Sequence, residues 1–560
     1  MAAVAFAAPR VAPRETQLLL GVGVLALIGI VTAAPVIVVI VGAIDANAWR
    51  ETLANPLSRS AIGYSLLLAL RAPLAAVIGF LIAWLLIRLK VPGSRFIEFA
   101  MWVTFFVPIL PMTLSWILLL SPRYGLINQA LMALPFIHAP PFNIYSVGGI
   151  LWVHVISSSV PVMVVLLGPA IRALDASYEE VGRVCGSRPF QVFRRITLPI
   201  LMPAILTAAL AGFIKSLEAF EVEQLLGRPV DIYVYSTRIY DLASWEPPRF
   251  NSAMALSTVV LAVLLVIAVL YQRLNRRYDY ATILGRGASY AKLDIGGARW
   301  AVAAALFLLV AVSLFFPLFM LIVGSCMKIF GFFGIKAPYV LDHWHQVLAD
   351  PSFMKSLINS MILCSGAGFA GIFIYAAIAY LIVRSRLPGR GTIDLMAWLP
   401  WSIPGILLGV SVLWLILHTP LLSFLYGSLF SLILIMMIAQ MPIGVHMMKT
   451  SVRQIGIELE QSSRVCGAGP TRTFFRVVLP LIRPMLVSIF VIVFISALRD
   501  ISTIIFLASA KSQTLSLLMM QFASSSDLEA GAVIGVITTA IVVVVALIAR
   551  RFGLQLTVQR

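Results

Sequence analysis

Long apolar runs alternate with short polar loops along the whole chain, and each run is close to the ~20 residues that an α-helix needs to cross a bilayer. Twelve runs lie near 17–44, 61–87, 97–120, 147–172, 196–217, 252–271, 299–326, 357–384, 393–419, 421–449, 477–507 and 528–549. The pattern predicts an all-α polytopic membrane protein with about twelve transmembrane helices. Arg10 and Arg14 precede the first run as in a signal peptide, but the length of this run favours a retained helix.

Composition excludes an ordinary soluble protein. Of the 560 residues, 61% are hydrophobic and 11% are charged, against about 45–50% and about 25% in soluble domains. The net charge of +18 would suggest a nucleic-acid partner in a soluble protein. Here the basic residues fall in short loops beside the apolar runs. We therefore expect a lipid bilayer and no nucleic acid as partner.

The distribution of basic residues predicts the orientation in the membrane. Alternate loops, together with both ends of the chain, contain 28 of the 41 Lys and Arg residues. The opposite loops are mixed or acidic, as in the stretch 218–251. Because basic loops stay in the cytoplasm, we expect both termini of this multi-pass protein to be cytoplasmic.

An internal repeat relates the two sides of the polar stretch near 273–299. Residues 179–203 match residues 460–484 at a constant offset of 281, and residues 82–95 match 378–391 at an offset of 296. The offsets differ by 296 − 281 = 15, so the first half has about 15 additional residues, which we place in the loop 121–146. Both repeats begin and end on the same side, which predicts parallel halves related by an axis along the membrane normal.

These matches divide the chain into three predicted parts. The first half covers residues 1–272 and contains six helices and a repeated loop at 175–199. A linker rich in glycine and charge covers 273–298. The second half covers 299–560 and contains six helices and the second copy of the loop at 456–480.

The repeated loop predicts a short helix between two membrane helices. Glu179 and Glu180 favour the positive end of a helix, Gly186 favours its end, and Leu198-Pro199 suits the first turn of the next membrane helix. A single copy would be equally consistent with an amphipathic anchor lying at the membrane surface. Two copies with the same glycine and Leu-Pro spacing favour a docking element.

At these residues the sequence resembles a known family. A Glu followed seven residues later by Gly, and then by Leu-Pro, resembles the EAA loop of binding-protein-dependent ABC importer permeases. The matching residues are Glu179, Glu180, Gly186, Leu198 and Pro199 in the first copy and Glu460, Gly467, Leu479 and Pro480 in the second. Duplication of the loop in one chain resembles the fused permeases of ferric-iron, thiamine and aminoalkylphosphonate transporters, over about residues 60–550.

The resemblance implies a fold, a location in the bacterial cytoplasmic (inner) membrane, and separate partner proteins that bind ATP and deliver the solute. The fold would be that of type I ABC importer permeases, in two parallel six-helix repeats. Each loop would dock on one of two copies of a cytoplasmic ABC ATPase, which would bind ATP and Mg²⁺. A periplasmic or lipid-anchored binding protein would deliver the solute. Cys185 and Cys466 stand where a small Ala is common, and Ser462/Ser463 replace Val181/Gly182, which would make the two docks unequal.

The sequence contains no recognisable catalytic constellation. It has no GxxxxGK[ST] phosphate loop, HExxH or GxSxG motif, so we expect a transport subunit that is not an enzyme, with ATP hydrolysis on a separate chain and no cofactor of its own. The four cysteines are isolated. His343 and His345 fit an amphipathic segment better than a metal site, and His154 fits a hydrogen-bonded buried imidazole. We expect no metal site.

Charged residues near membrane depth are candidates for the transport pathway. Lys215, Glu218 and Glu221 are spaced as on one face of a continuing fifth helix, with Arg499 and Asp500 in the second half. Glu218 and Arg499 are equivalent at offset 281, so a pair across the axis is one hypothesis. The other is that these groups are solvated at the outer surface. Arg71 would lie at similar depth.

Two classes of transporter fit these features. The first is the permease subunit of an ABC importer, with ferric iron as the favoured solute and thiamine, 2-aminoethylphosphonate or polyamine as alternatives. The second is an ion-coupled secondary transporter, which also has twelve helices in two halves. The duplicated EAA-type loop favours the importer. A membrane-embedded enzyme is disfavoured because no paired catalytic groups occur.

Overall fold

The computed structural model describes residues 29, 32–175, 177–277, 292–384 and 389–551. The beginning of the first predicted span, residues 278–291 of the predicted linker and both chain termini lie outside the described residues. The described secondary structure is helical apart from two isolated β-bridges, Leu89 with Leu293 and Met327 with Tyr339. The predicted all-α class is therefore confirmed for the described chain.

The first fourteen helices occupy the chain up to Arg277. They are α1 (Thr32–Gly42), α2 (Ala46–Ala54), α3 (Pro56–Ala69), α4 (Arg71–Arg88), α5 (Ser94–Phe106), α6 (Ile109–Leu120), α7 (Leu126–Met132), α8 (Val147–His154), α9 (Val160–Ala173), α10 (Ser177–Val184), α11 (Pro189–Val192), α12 (Leu198–Leu217), α13 (Tyr235–Ala243) and α14 (Phe250–Arg277).

Thirteen further helices follow the predicted linker. They are α15 (Ala298–Val310), α16 (Phe316–Ser325), α17 (Asp342–Ala349), α18 (Pro351–Arg384), α19 (Arg390–Trp398), α20 (Gly405–His418), α21 (Leu429–Gln454), α22 (Ile457–Val465), α23 (Pro470–Thr473), α24 (Leu479–Leu481), α25 (Arg483–Arg499), α26 (Leu515–Ser524) and α27 (Leu528–Arg551).

Among the residues that the structure describes, eight helical segments are long and apolar enough to cross a membrane, and four bent pairs of helices pass the same test together. Counting each bent pair as one span gives twelve spans, in the order of the twelve predicted runs. The prediction of about twelve membrane helices is therefore confirmed.

Two of the predicted spans are bent by more than 100°. The span predicted at 97–120 consists of α5 and α6, which meet at 103°, and the span at 393–419 is bent by 106°. Pro108 and Pro404 lie at these bends with extended ψ angles of 140° and 144°. Proline has no N–H and disfavours helical geometry in the preceding residue, so the helix stops and restarts in a new direction.

The fifth span begins earlier than its sequence suggests. Leu198-Pro199 does not start the membrane helix, because the helical segment already runs from Phe190 to Leu217. Residues Phe193–Thr197 form a π-helical turn just before Leu198, and the N–H of Leu198 donates to the carbonyl of Phe193. The wider turn accommodates the missing N–H of Pro199 within a continuing helix. The same π turn, Phe474–Val478, precedes Leu479-Pro480.

Helix packing divides the chain into two compact units. The larger unit contains Gly42–Leu357 and Thr514–Ala546. Its core surrounds α4, which packs against α9 and α12, while α5 packs against α9 and α15. Fully buried Ala75, Ile97 and Met101 belong to this core.

The smaller unit contains the described residues of 358–513, residues 547–551 and the described residues before Gly42. In it α21 packs against α19, α20 and α25. The hydroxyl of buried Tyr375 on α18 donates to the carbonyl of Met437 on α21 at 2.6 Å. Gly444 allows this approach, since a Cβ there would lie 2.1 Å from the Tyr375 ring.

Candidate functional site

The first EAA-type loop forms the short helix α10, Ser177–Val184. The carboxylate of Asp175 accepts the N–H of Ser177 at 2.9 Å, which holds the pKa of the Asp175 carboxyl below its ordinary value. Glu179 and Glu180 occupy the first turn, where carboxylates are favoured by the helix dipole. Glu180 is exposed, whereas Glu179 is buried.

Gly186 ends this helix with a left-handed backbone, φ +82°. Its N–H donates to the carbonyl of Arg183, and the N–H of Ser187 donates to the carbonyl of Gly182. These hydrogen bonds satisfy carbonyls that the helix end would otherwise leave without donors. Glycine suits the position because L-residues with a side chain rarely adopt this φ.

The second loop repeats this geometry in the smaller unit. Helix α22, Ile457–Val465, ends before Gly467, whose φ is +83°. The N–H of Gly467 donates to the carbonyl of Arg464, and the N–H of Ala468 donates to the carbonyl of Ser463. Glu460 lies in its first turn and is buried like Glu179. Both short helices therefore end in a left-handed glycine and carry a buried glutamate in the first turn.

Each buried carboxylate is held by the membrane helices of its own half. Glu179 lies 3.8 Å from Arg88 and accepts a hydrogen bond from the Thr197 hydroxyl at 2.8 Å. Glu460 lies 2.7 Å from Arg384 and accepts a hydrogen bond from the Tyr380 hydroxyl at 2.9 Å. The inner face of each short helix is thus fixed by charge and hydrogen bonding.

The outer face of each short helix exposes apolar side chains. Val181 is 61% exposed and Val184 is 87% exposed on α10. On α22, Leu459 is 51% exposed and Val465 is 76% exposed. Apolar groups concentrated on an exposed helix favour contact with a partner.

The two loops differ at the replacement noted in the sequence. Gly182 lies so close to Ile196 that a Cβ would meet its side chain at 2.6 Å. At the equivalent position, Ser463 hydrogen-bonds the Thr473 hydroxyl at 3.1 Å. One short helix is held by apolar contact and the other by a hydrogen bond.

The predicted pathway residues of the first half are only partly brought together. Lys215 Nζ lies 2.8 Å from Glu218 Oε2, so these two residues share a face. Helix α12 ends at Leu217, with Glu218 as its C-cap, so Glu221 does not continue the same helix. The carbonyl of Ala219 accepts a hydrogen bond from the Ser236 hydroxyl instead of continuing the helical ladder.

Arg499 is the last residue of α25, and Asp500 is its C-cap. The Asp500 carboxylate accepts hydrogen bonds from the N–H and the hydroxyl of Thr503, each at 2.9 Å. Asp500 therefore organises the turn that follows α25. Pairing of Glu218 with Arg499 stays a prediction.

Three buried ionisable residues meet in the larger unit. Arg71 Nη1 lies 3.6 Å from Glu223 Oε1, and His154 Nε2 lies 2.9 Å from the same oxygen. All three residues are at least 95% buried. The expectation that His154 is a buried, hydrogen-bonded imidazole is confirmed. Glu223 was missed because its sequence position resembles that of the other acidic residues in the outer stretch.

A cavity of about 910 Å³ lies in the larger unit. Its lining includes Tyr124, Tyr145, Gln224, Arg228 and Glu529. Burial raises the pKa of the Tyr145 hydroxyl above its ordinary value. The cavity thus combines apolar side chains, such as Leu225 and Phe330, with neutral hydroxyl and amide groups and charges of both signs.

Within the described ranges, no group of three or more His, Cys, Asp or Glu side chains is arranged to hold a metal ion. His343 is half-buried, and its Nε2 lies 3.4 Å from the backbone carbonyl of Lys328.

Comparison with known proteins agrees with the repeated loops. The family described as "Binding-protein-dependent transport system inner membrane component" matches residues 75–280 and again 368–556. Each matched stretch contains one of the two EAA-type loops.

Several curated proteins are similar to this chain. The ferric transport system permease protein FbpB of Actinobacillus pleuropneumoniae is 27% identical over 66% of this chain and 53% of its own length. The Fe(3+)-transport system permease protein FbpB 2 of Haemophilus influenzae is 22% identical over 90% of this chain and 92% of its own length. The sulfate transport system permease protein CysT of Salmonella typhimurium is 25% identical over 42% of this chain and 82% of its own length. The chain therefore spans about half the length of the first of these relatives.

Proposed function

Because this chain belongs to the family of binding-protein-dependent transport system inner membrane components, we propose that it is the fused permease subunit of an ABC importer. The observation that carries this proposal is the duplicated short helix, which has a glycine cap, an inward glutamate and outward apolar residues in both copies. Each copy supplies a docking surface for one copy of a cytoplasmic ABC ATPase. ATP and Mg²⁺ bind to the ATPase and not to this chain.

We propose ferric iron as the solute, delivered by a periplasmic or lipid-anchored binding protein. This assignment is supported by similarity to two ferric permeases, one of which matches nearly the whole chain. The excess of basic residues in alternate loops supports a cytoplasmic position for both docking loops and both termini. A bacterial inner membrane is the corresponding location.

The test is reconstitution of the chain in liposomes with its ABC ATPase and binding protein. We expect uptake of ferric iron that requires ATP and all three components, and an ATPase rate that rises when loaded binding protein is added. Uptake driven by an ion gradient without the ATPase would instead establish a secondary transporter. ATP-dependent uptake of thiamine or sulfate, but not of iron, would overturn only the solute.

The composition of the complex gives a second test. Since one chain contains two docking helices, native mass spectrometry should show one copy of this chain with two ATPase subunits. Two copies of this chain in the active complex would contradict the proposal.

A further inference from the structure

Glu179 and Glu460 each contact an arginine that also binds the end of another membrane helix. Arg88 is the last residue of α4, and its Nη2 donates to the carbonyls of Ile171 at 3.1 Å and Leu174 at 2.8 Å. These carbonyls belong to the end of α9, at Ala173. The same guanidinium faces Glu179 on α10.

The smaller unit contains the same arrangement. Arg384, the last residue of α18, donates from Nη2 to the carbonyls of Val452 and Ile455 at the end of α21. Its Nε donates to Glu460 on α22. Val452 and Ile455 are equivalent to Ile171 and Leu174 at offset 281, and Arg384 is equivalent to Arg88 at offset 296.

Arginine has the chemistry for this position. The last carbonyls of a helix lack intrahelical donors, and the C-terminal end of the helix dipole attracts a cation. A planar guanidinium directs several N–H groups at once, so it binds these carbonyls and a carboxylate together, which a lysine ammonium with its single nitrogen does less well. Each arginine therefore joins three elements: its own helix, the end of a second membrane helix and the short docking helix.

We propose that Arg88 and Arg384 are positioning residues that transmit movement of the docking helices to the membrane helices. This inference rests on the proposed function. When the ATPase displaces a short helix, the buried glutamate must either move with the arginine or lose its ionic partner. Separating a buried ion pair is unfavourable, so the arginine, the end of α4 and the end of α9 move with the docking helix. The second half works in the same way through α18 and α21.

The two connections are not identical. The backbone of Arg88 also pairs with the end of the predicted linker, since the N–H of Leu293 donates to the Arg88 carbonyl at 2.8 Å. Asp294, the residue after Leu293, lies 3.5 Å from Lys90. The hydroxyl on the glutamate also differs, since Glu179 accepts from Thr197 and Glu460 accepts from Tyr380.

The experiment compares Arg88→Gln and Arg384→Gln with the parent chain in the reconstituted complex. We expect the ATPase to co-purify at the parent ratio, while stimulation of ATP hydrolysis by the binding protein falls about tenfold in each variant. Arg→Lys variants keep the charge but should restore stimulation only partly. Combining Arg88→Gln with Glu179→Gln should add little to either single change, because both remove the same connection.

Matched controls lie beside both arginines. Arg172 pairs with Glu98, and Lys449 pairs with Asp394, but neither pair includes a docking helix. Arg172→Gln and Lys449→Gln should therefore leave the stimulation close to that of the parent. Equal loss of stimulation in these controls, or parent-level stimulation in Arg88→Gln and Arg384→Gln, would overturn the inference. Loss of ATPase stimulation by the binding protein in the parent complex itself would instead contradict the proposed function.

Discussion

Arg71 and Glu223 form an ion pair in which both side chains are at most 2% exposed, within a unit made mainly of membrane helices. In the second half, Ala367 stands at the position equivalent to Arg71, Ile435 at that of His154 and Ile504 at that of Glu223. All three replacements are buried and apolar. The same fold thus forms at this place without charges.

We therefore predict that Glu223→Ala destabilises the chain more than removal of the whole cluster. The single change leaves Arg71 buried without its carboxylate partner, a loss of about 3–5 kcal/mol. The triple variant Arg71→Ala/His154→Ile/Glu223→Ile copies the second half and leaves no buried charge. Thermal unfolding in detergent measures both, and a triple variant less stable than Glu223→Ala would contradict the prediction.

The glycine caps predict a second result. Gly467→Val should impair coupling of ATP hydrolysis to transport, because a β-branched residue at φ +83° introduces about 1–2 kcal/mol of backbone strain. The space around Gly467 is open, so the effect arises from the backbone and not from a clash. Gly467→Asn should be better tolerated, since Asn adopts left-handed geometry more readily.

Gly469 provides the control for this change. It lies in the same loop with the same open surroundings, but it is not among the glycines with positive φ. Gly469→Val should couple hydrolysis to transport like the parent. The measurements are ATP-dependent uptake and ATPase rate, with Gly186→Val expected to behave like Gly467→Val. Parent-level coupling in both cap variants would show that the short helices only anchor their loops.

Cysteine reactivity tests whether the docking helices are covered. Cys185 and Cys466 are exposed immediately beyond α10 and α22, whereas Cys364 is buried. With Cys326 replaced by Ser, a maleimide should label two thiols of the isolated chain and leave Cys364 unmodified. Binding of the ATPase should slow the labelling of both exposed thiols. Unchanged labelling in a complex shown to be intact would place the ATPase elsewhere.

The outer charges give a prediction of a different kind. If Glu218 and Arg499 form a gate, the exchange Glu218→Arg/Arg499→Glu should partly restore transport and the basal ATPase rate that each single Ala variant disturbs. Lys215→Ala should disturb both less than Glu218→Ala, because Lys215 is about half exposed and its i,i+3 pair with Glu218 is worth only about 0.2–0.5 kcal/mol. Additive effects without rescue in the exchange would exclude the gate.

Much of the architecture could be predicted because it depends on local sequence. Runs of apolar residues determine which segments cross the membrane, and Gly186 and Gly467 determine where the short helices end. The bends at Pro108 and Pro404 were also present in the sequence as repeated prolines. Their size depends on the packing that fixes each new direction, which hydropathy does not describe.

The contacts between distant segments could not be predicted in the same way. Arg88, Ile171 and Glu179 lie on three different helices. Nothing in their local sequences distinguishes them from other residues near helix ends. The meeting of Arg71, His154 and Glu223 is likewise a product of tertiary packing. For the arginines, one signal was available: Arg88 and Arg384 occupy the same position within the matched segments 82–95 and 378–391.

The larger unit is built from two stretches of the chain that are far apart in sequence, and this affects how the protein is synthesised and assembled. Gly42–Leu357 packs together with Thr514–Ala546, and residues 358–513 separate these two stretches in the chain. During synthesis the first stretch reaches the membrane while its last helices are still untranslated, and at roughly 5–20 residues per second that interval lasts many seconds. Assembly of the larger unit must therefore finish after the smaller unit has been translated. Until then, the earlier helices of the larger unit are held in the membrane without their C-terminal partners.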